Sequence, residues 1–162
     1  MVEQISPAVV TVLNLSSTGV ARGSGSGFGV DYSADGHVLT NYHVVEEAAN
    51  LEVVFADGTS APAQLVGRDL YADIAVLQAL AQVPGVAELG NSDVLRPGGA
   101  VIAIGSPLSP LGKFKNTVTV GVVSATGRIL NTPDASLSGD TLGGDYAGCG
   151  SFTQTARGFM RC

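Results

Sequence analysis

Short apolar segments, each ended by turn residues, run along most of the chain. The β-branched segment Pro7–Leu15 predicts a first strand. Gly23–Val30 and His37–Asn41, on either side of the turn Ala34-Asp35-Gly36, predict a hairpin. A helical turn is predicted only over Val44–Ala49. The pattern therefore favours β structure with very little helix.

Further strands are predicted downstream by the same alternation of apolar runs and turns. They are Leu51–Ala56, Pro62–Arg68, Asp73–Leu80, Ala100–Gly105 and Asn116–Ala125. Strands that recur about every ten residues are typical of a β-barrel. The predicted fold class is therefore all-β.

Turn-rich stretches divide the chain into four predicted regions. Residues 1–84 are predicted to form a first barrel, and residues 85–97, rich in Gly, Asn and Pro, a connector. Residues 98–130 are predicted to begin a second barrel that is incomplete. Residues 131–162 show neither strand alternation nor a helical face, so we interpret them as a divergent tail, for which disorder is one reading.

Composition narrows the class of protein without naming a function. With 45% hydrophobic and 14% charged residues, the chain has enough apolar side chains for a folded core. Its 22 glycines and 7 prolines favour short strands joined by turns. A formal charge of −6 has the wrong sign for binding a phosphate backbone, so nucleic acid is not an expected partner.

Neither a membrane span nor a cofactor is predicted. The longest apolar runs, such as Val118–Val123, fall far short of the ~20 residues that cross a bilayer. Met1–Pro7 lacks the basic head and apolar core of a secretory signal, so no targeting signal is predicted in this chain. Cys149 and Cys162 do not have metal-ligand spacing, and the chain has only two histidines, so no metal or other cofactor is implied.

One histidine and one aspartate stand where chemistry could occur. His43 lies two residues after the end of the predicted strand His37–Asn41, and Asp73 precedes the apolar run Ile74–Leu77. If the two side chains met, Asp73 would accept from Nδ1 of His43 and leave Nε2 free to take a proton. The alternative is a surface histidine and an unrelated turn aspartate, and the spacing alone does not decide between them.

The sequence segments around both residues resemble those of the HtrA/Deg family of serine proteases. The matching segments, in order and spacing, are Gly25–Phe28, Val38–Val45, Val66–Asp69, Ala72–Leu77, Leu89–Ser92, Ala103–Pro107 and Thr117–Ser124. The resemblance covers about Ser6–Arg128 and implies a chymotrypsin-like double β-barrel with the active site between the barrels. It also implies that His43 is the general base and Asp73 its orienting acid.

The same resemblance implies a biological setting. Members of the family cleave unfolded or damaged proteins in extracytoplasmic compartments, periplasmic or secreted, and usually do so as homotrimers. Protein quality control is thus the expected role by resemblance.

The chain departs from the family near its C-terminal end. In the family, a segment similar to Phe152–Thr155 is followed by Gly-Asn-Ser-Gly-Gly, whose serine is the nucleophile. No serine follows Thr155 here, so we expect the chain as given to be inactive. Ser138 and Ser151 have neither the flanking Gly-Gly nor the family position of the nucleophile, so both are read as loop residues.

Two hypotheses follow from this departure. The first is a serine endopeptidase whose sequence is truncated or shifted out of frame near its C-terminus. The alternative is a non-catalytic relative that binds exposed peptide segments or acts like a chaperone.

Two further residues are expected to be uninvolved. His37 lies in the predicted hairpin and is expected to be exposed rather than catalytic. Asn14-Leu15-Ser16 matches a glycosylation sequon, but its position in a strand makes this a weak signal.

Overall fold

The computed structural model of the chain describes residues 2–29, 36–70, 72–105 and 117–126. These residues contain two short helices, α1 (Val2–Ile5) and α2 (Tyr42–Val45), and 3₁₀ turns at Ser6–Ala8 and Ser92–Val94. The strands within the same ranges are β1 (Val9–Leu15), β2 (Ala21–Gly29), β3 (His37–Thr40), β4 (Asn50–Val54), β5 (Ser60–Asp69), β6 (Ile74–Ala79), β7 (Ala100–Gly105) and β8 (Thr117–Val122). The all-β prediction is confirmed.

Six of these strands form a closed barrel. Its strand order is β1-β2-β3-β6-β5-β4, and every neighbouring pair is antiparallel. β1 closes the barrel because it pairs with β2 along one edge and with β4 along the other. Because the barrel is closed, none of the six strands β1 to β6 lies at the edge of a sheet.

Small apolar side chains fill the barrel interior. Alternate residues of β6 point inward, so Ala75, Leu77 and Ala79 are buried while the residues between them are not. Val12 and Val53 contribute to the same core from β1 and β4. Valine and alanine predominate because a six-stranded barrel has a narrow interior that side chains must fill.

The other two strands form a separate hairpin. β7 and β8 pair antiparallel from Ala100 opposite Val122 to Gly105 opposite Thr117. One face of β8 presents Val118, Val120 and Val122 to solvent. The predicted tail, with Ser138, Ser151, Cys149 and Cys162, lies outside the described residues.

The strand predictions agree with the structure to within a few residues, but the helical prediction is wrong. The helical turn spans Tyr42–Val45 rather than Val44–Ala49. It ends early because the backbone of Glu46, with φ −58° and ψ 135°, leaves the helical region and Glu47 has a positive φ of 53°. Within the described ranges, no helix is long and apolar enough to span a membrane.

Candidate active site

The pairing of β3 with β6 brings the two candidate residues together. Thr40, the last residue of β3, lies opposite Ala75 near the start of β6. The ladder continues one step beyond the strands, because the Tyr42 N–H donates to the Asp73 carbonyl at 3.1 Å. The end of one antiparallel strand thus meets the beginning of its neighbour, although His43 and Asp73 are 30 residues apart in sequence.

His43 and Asp73 contact each other at two points. Nδ1 of His43 lies 2.6 Å from Oδ2 of Asp73, and the backbone N–H of His43 donates to Oδ1 at 2.9 Å. The two side chains are 35% and 29% exposed, so the pair is open to solvent on one side. Two contacts to one carboxylate fix both the imidazole ring and the backbone that carries it.

This geometry determines which ring nitrogen is available for proton transfer. A neutral histidine whose Nδ1 donates to a carboxylate carries its proton on that nitrogen, which leaves Nε2 unprotonated. The same carboxylate stabilises the imidazolium that forms when Nε2 takes up a proton. The pair therefore has the arrangement that a general base and its orienting acid require. Ser138 and Ser151, the serines weighed as candidate nucleophiles, are outside the described residues.

The turn that carries Asp73 is held by side-chain contacts. Oδ1 of Asp69 accepts from the Ala72 N–H at 3.1 Å and so closes the connection between β5 and β6. Asp73 itself has a φ of 52°, in the left-handed region. Its carbonyl accepts from Nδ2 of Asn41 at 3.0 Å in addition to the Tyr42 N–H.

A glycine of β2 makes room for the helical turn beneath His43. Val44 and Val45 are buried against the barrel core. A Cβ atom on Gly25 would lie 2.4 Å from Cγ2 of Val44, which is closer than any real contact allows. Gly25 therefore sets how closely α2, and with it His43, approaches the barrel.

A buried asparagine ties the end of α2 to β1. Asn14 is buried, and its Nδ2 donates to the carbonyls of Val44 at 3.2 Å and Glu46 at 2.9 Å. These carbonyls lie at the C-terminal end of α2, where carbonyls need donors from outside the helix. The side chain of the Asn14 sequon is thus part of the packing beneath the site.

An arginine and a tyrosine tie β5 to α2 next to His43. The Arg68 guanidinium lies 5.4 Å from the centre of the Tyr42 ring, and one of its nitrogens is 3.4 Å from the hydroxyl. Exposed cation–π contacts of this kind contribute about 0.5–1 kcal/mol. The contact helps to fix the residue that precedes His43.

Some roles in the site were not predicted from the sequence. Asn41 and Gly25 were recognised only as parts of motifs, and Asn14 only as a sequon. Their roles depend on contacts between distant segments, which leave no local signal. His37 is partly buried at the start of β3, opposite Gln78, so its predicted exposure is wrong.

Comparisons with known proteins point to one family. Residues 25–155 match the family model of the trypsin-like peptidase domain. The serine protease Do-like HtrA of Bacillus subtilis is 42% identical over 149 residues, covering 81% of this chain and 32% of that protein. A protein of Pseudomonas fulva, named as a DegP-like periplasmic serine endoprotease, is 44% identical over 110 residues, covering 68% of this chain and 22% of its own length.

A solved structure extends the comparison to the fold. The crystal structure of the serine endoprotease from Yersinia pestis superposes with a TM-score of 0.68 at 40% identity, covering 79% of this chain and 44% of that one. The chain spans only 22% to 32% of the two curated relatives. On the family match and the shared fold, this chain belongs to the trypsin-like peptidase family, among its HtrA/Deg members.

Proposed function

We propose that this chain is part of a serine endopeptidase in which His43 is the general base and Asp73 orients it. One observation carries the proposal: Asp73 accepts from both Nδ1 and the backbone N–H of His43, at 2.6 Å and 2.9 Å. A structural ion pair at a surface would not need both contacts to the same histidine. Exposed ion pairs contribute little stability, so stability alone gives no reason for the contact between the Asp73 carboxylate and the His43 ring.

In the proposed reaction, Nε2 of His43 takes the proton of a serine hydroxyl as that oxygen attacks the scissile carbonyl. Nε2 then passes the proton to the leaving amine, and Asp73 stabilises the imidazolium in between. The attacking serine and the donors that stabilise the tetrahedral oxyanion are assigned to none of the described residues. The described half of the site therefore supplies the base and its orientation.

The substrates proposed are unfolded or damaged proteins, cleaved outside the cytoplasm by a homotrimer. Support for an extracytoplasmic location comes from the name of the Pseudomonas relative, which is described as periplasmic. We also propose the division into a first barrel over residues 1–84, a connector over 85–97 and the start of a second barrel over 98–130. Separate sheets for β1–β6 and β7–β8 support that division.

Peptide binding without catalysis is the second candidate function. The exposed valines on one face of β8, Val118, Val120 and Val122, favour it, because exposed apolar stripes often bind other chains. Peptide binding alone, however, gives no role to the paired contacts between His43 and Asp73. Serine endopeptidase is therefore the function that the geometry supports best.

A chimaera tests the proposal directly. Residues 6–128 of this chain replace the matching segment of the Bacillus relative, which supplies the remaining parts of a serine protease. We expect the chimaera to degrade reduced and carboxymethylated α-lactalbumin, which cannot fold, and to spare the folded form. His43→Ala in the chimaera is expected to lower the rate by about 10³-fold or more.

Folding of the chimaera is checked by its thermal unfolding, which His43→Ala should leave nearly unchanged because the side chain is exposed on one side. A folded chimaera that binds the unfolded substrate without cutting it would support the peptide-binding candidate instead. A chimaera that cuts equally well with alanine at position 43 would contradict the role of His43.

A further inference from the structure

Asn41 stands immediately before α2, at the position where asparagine usually caps a helix with its own side-chain oxygen. Its backbone is extended, with φ −81° and ψ 147°, as expected for a cap. Yet its side chain makes no capping bond to any described residue of the turn. Its Nδ2 instead donates across to the backbone carbonyl of Asp73 at 3.0 Å.

Asp73 performs the capping that Asn41 does not. The backbone N–H of His43 is the donor that an ordinary cap would satisfy, and Oδ1 of Asp73 accepts from it at 2.9 Å. The two residues thus exchange contacts. The carboxylate of Asp73 caps the turn that bears His43, and the amide of Asn41 holds the backbone of Asp73.

The backbone of Asp73 needs such support. Its φ of 52° lies in the left-handed region, which residues with a Cβ adopt at a cost in free energy. Strained conformations of this kind persist only where neighbouring contacts hold them. Two donors converge on the Asp73 carbonyl, Nδ2 of Asn41 at 3.0 Å and the Tyr42 N–H at 3.1 Å.

We propose that Asn41 is a positioning residue that holds Asp73 in its left-handed conformation. From that conformation the carboxylate reaches both the backbone N–H and Nδ1 of His43. The effect on catalysis rests on the proposed function. The effect on the geometry of His43 does not, and it is measurable in the chain without any substrate.

The test uses ¹⁵N NMR of the histidine rings in the 162-residue chain. Only His37 and His43 contribute signals, so His37 in β3 reports the barrel while His43 reports the site. Asn41→Asp removes the donor and keeps the size of the side chain. Asn91→Asp is the matched control: it makes the same charge change at another helix cap, where the side chain only accepts, from the Asp93 N–H.

With both histidines neutral, His43 of the unaltered chain is expected to carry its proton on Nδ1. In Asn41→Asp the ratio of the Nε2–H to the Nδ1–H tautomer rises roughly fivefold, the change expected on losing one hydrogen bond. Amide exchange at Tyr42 and His43 rises by a similar factor, because both amides donate to Asp73. The Ala79 amide, which donates to Gly36 within the barrel, does not change.

An unchanged His43 tautomer and unchanged amide exchange in a folded Asn41→Asp chain would overturn the proposal. An equal change of the His43 tautomer and of the amide exchange in Asn91→Asp would also overturn it. If Asn41→Asp also moves the His37 signal, the same measurements on Asn41→Ala decide, since alanine removes the donor without adding a charge. Failure of the chimaera to cut substrate would overturn the proposed function but leave these measurements unaffected.

Discussion

At the scale of single residues, Asp73 is the most connected member of the site. Its carbonyl accepts from Asn41 and Tyr42, and its carboxylate accepts from the backbone and ring of His43. Backbone and side chain are thus fixed by the same short segment, residues 41–43. A shift of the end of β3 or of the start of β6 would break several of these bonds together.

Asp57 offers a pH-dependent prediction at a distance from the site. The hydroxyl of Thr59, 2.6 Å from Oδ1, and then the Thr59 N–H lower the pKa of the Asp57 carboxyl in the folded chain. A carboxyl whose folded pKa lies below its unfolded pKa contributes stability above the unfolded pKa, and that contribution is lost as pH falls through the folded pKa. Thr59→Val removes the larger cause, so the pKa of Asp57 should rise toward its ordinary value.

Carbon NMR of the Asp57 carboxyl during an acid titration measures this shift. If the Asp57 midpoint in Thr59→Val equals that of the unaltered chain, the hydroxyl is not the cause. Because Asp57 is fully exposed, we expect only a small change in global stability.

At the scale of elements, the closeness of β2 to α2 places His43. β2 can approach α2 because Gly25 has no side chain: a Cβ there would overlap Val44. Gly27 lets β2 approach β3 in the same way, since a Cβ there would lie 2.9 Å from Cγ1 of Val38. Asn14 then holds the far end of α2 from β1. The catalytic histidine proposed here thus rests on contacts from two strands of the barrel.

Gly25→Ala is expected to destabilise the chain by about 1–3 kcal/mol, as overpacking of a filled core does. Its new methyl group must displace Val44, whose branched side chain cannot swing aside, and His43 should move with it. Gly23→Ala in the same strand is the matched control, because nothing lies within 4 Å of a Cβ there. Urea unfolding measures the free energy of unfolding of both variants.

Equal free energies of unfolding for Gly25→Ala and Gly23→Ala would contradict this account of β2. A loss of stability without any change in the ring signals of His43 would show that Gly25 supports the barrel but does not place α2.

How well an element can be predicted depends on how far apart in sequence the residues that define it are. β7 matches its prediction at both ends because an apolar run bounded by glycines is a local signal. The helical turn was predicted two residues late because its first two amides, of Tyr42 and His43, donate to the distant Asp73. The roles of Gly25 and Asn41 likewise depend on contacts between distant segments. Sequence reasoning thus found His43 and Asp73 but not the residues that hold them.

At the scale of the whole molecule, closure of the barrel joins the two strands that carry the site. β3 and β6, which carry His43 and Asp73 at their ends, are neighbours within the closed ring. Leu77, the largest fully buried side chain in the part of the chain that the structure describes, lies inside the ring on β6, four residues beyond Asp73. The core that stabilises the barrel therefore also supports the strand that leads from the site.

Leu77→Ala is expected to cost about 2–5 kcal/mol, the usual range for truncating a buried leucine. Leu80→Ala, just beyond the same strand, is the matched control, since Leu80 is 61% exposed and its truncation should change the free energy of unfolding by less than about 0.5 kcal/mol. Thermal or urea unfolding of the two variants compares their free energies of unfolding. Similar losses for both would mean that the barrel interior is not the core of the chain.

The central claim is that Asp73 orients His43 to activate a serine. The most direct measurement is the rate at which the chimaera is acylated by a fluorophosphonate, because this rate reports activation of the serine without the binding of a protein substrate. We predict that Asp73→Asn lowers the rate by about 10⁴-fold and that Asp93→Asn, in an exposed turn, leaves it unchanged. Equal acylation rates for Asp73→Asn and the unaltered chimaera would contradict the account.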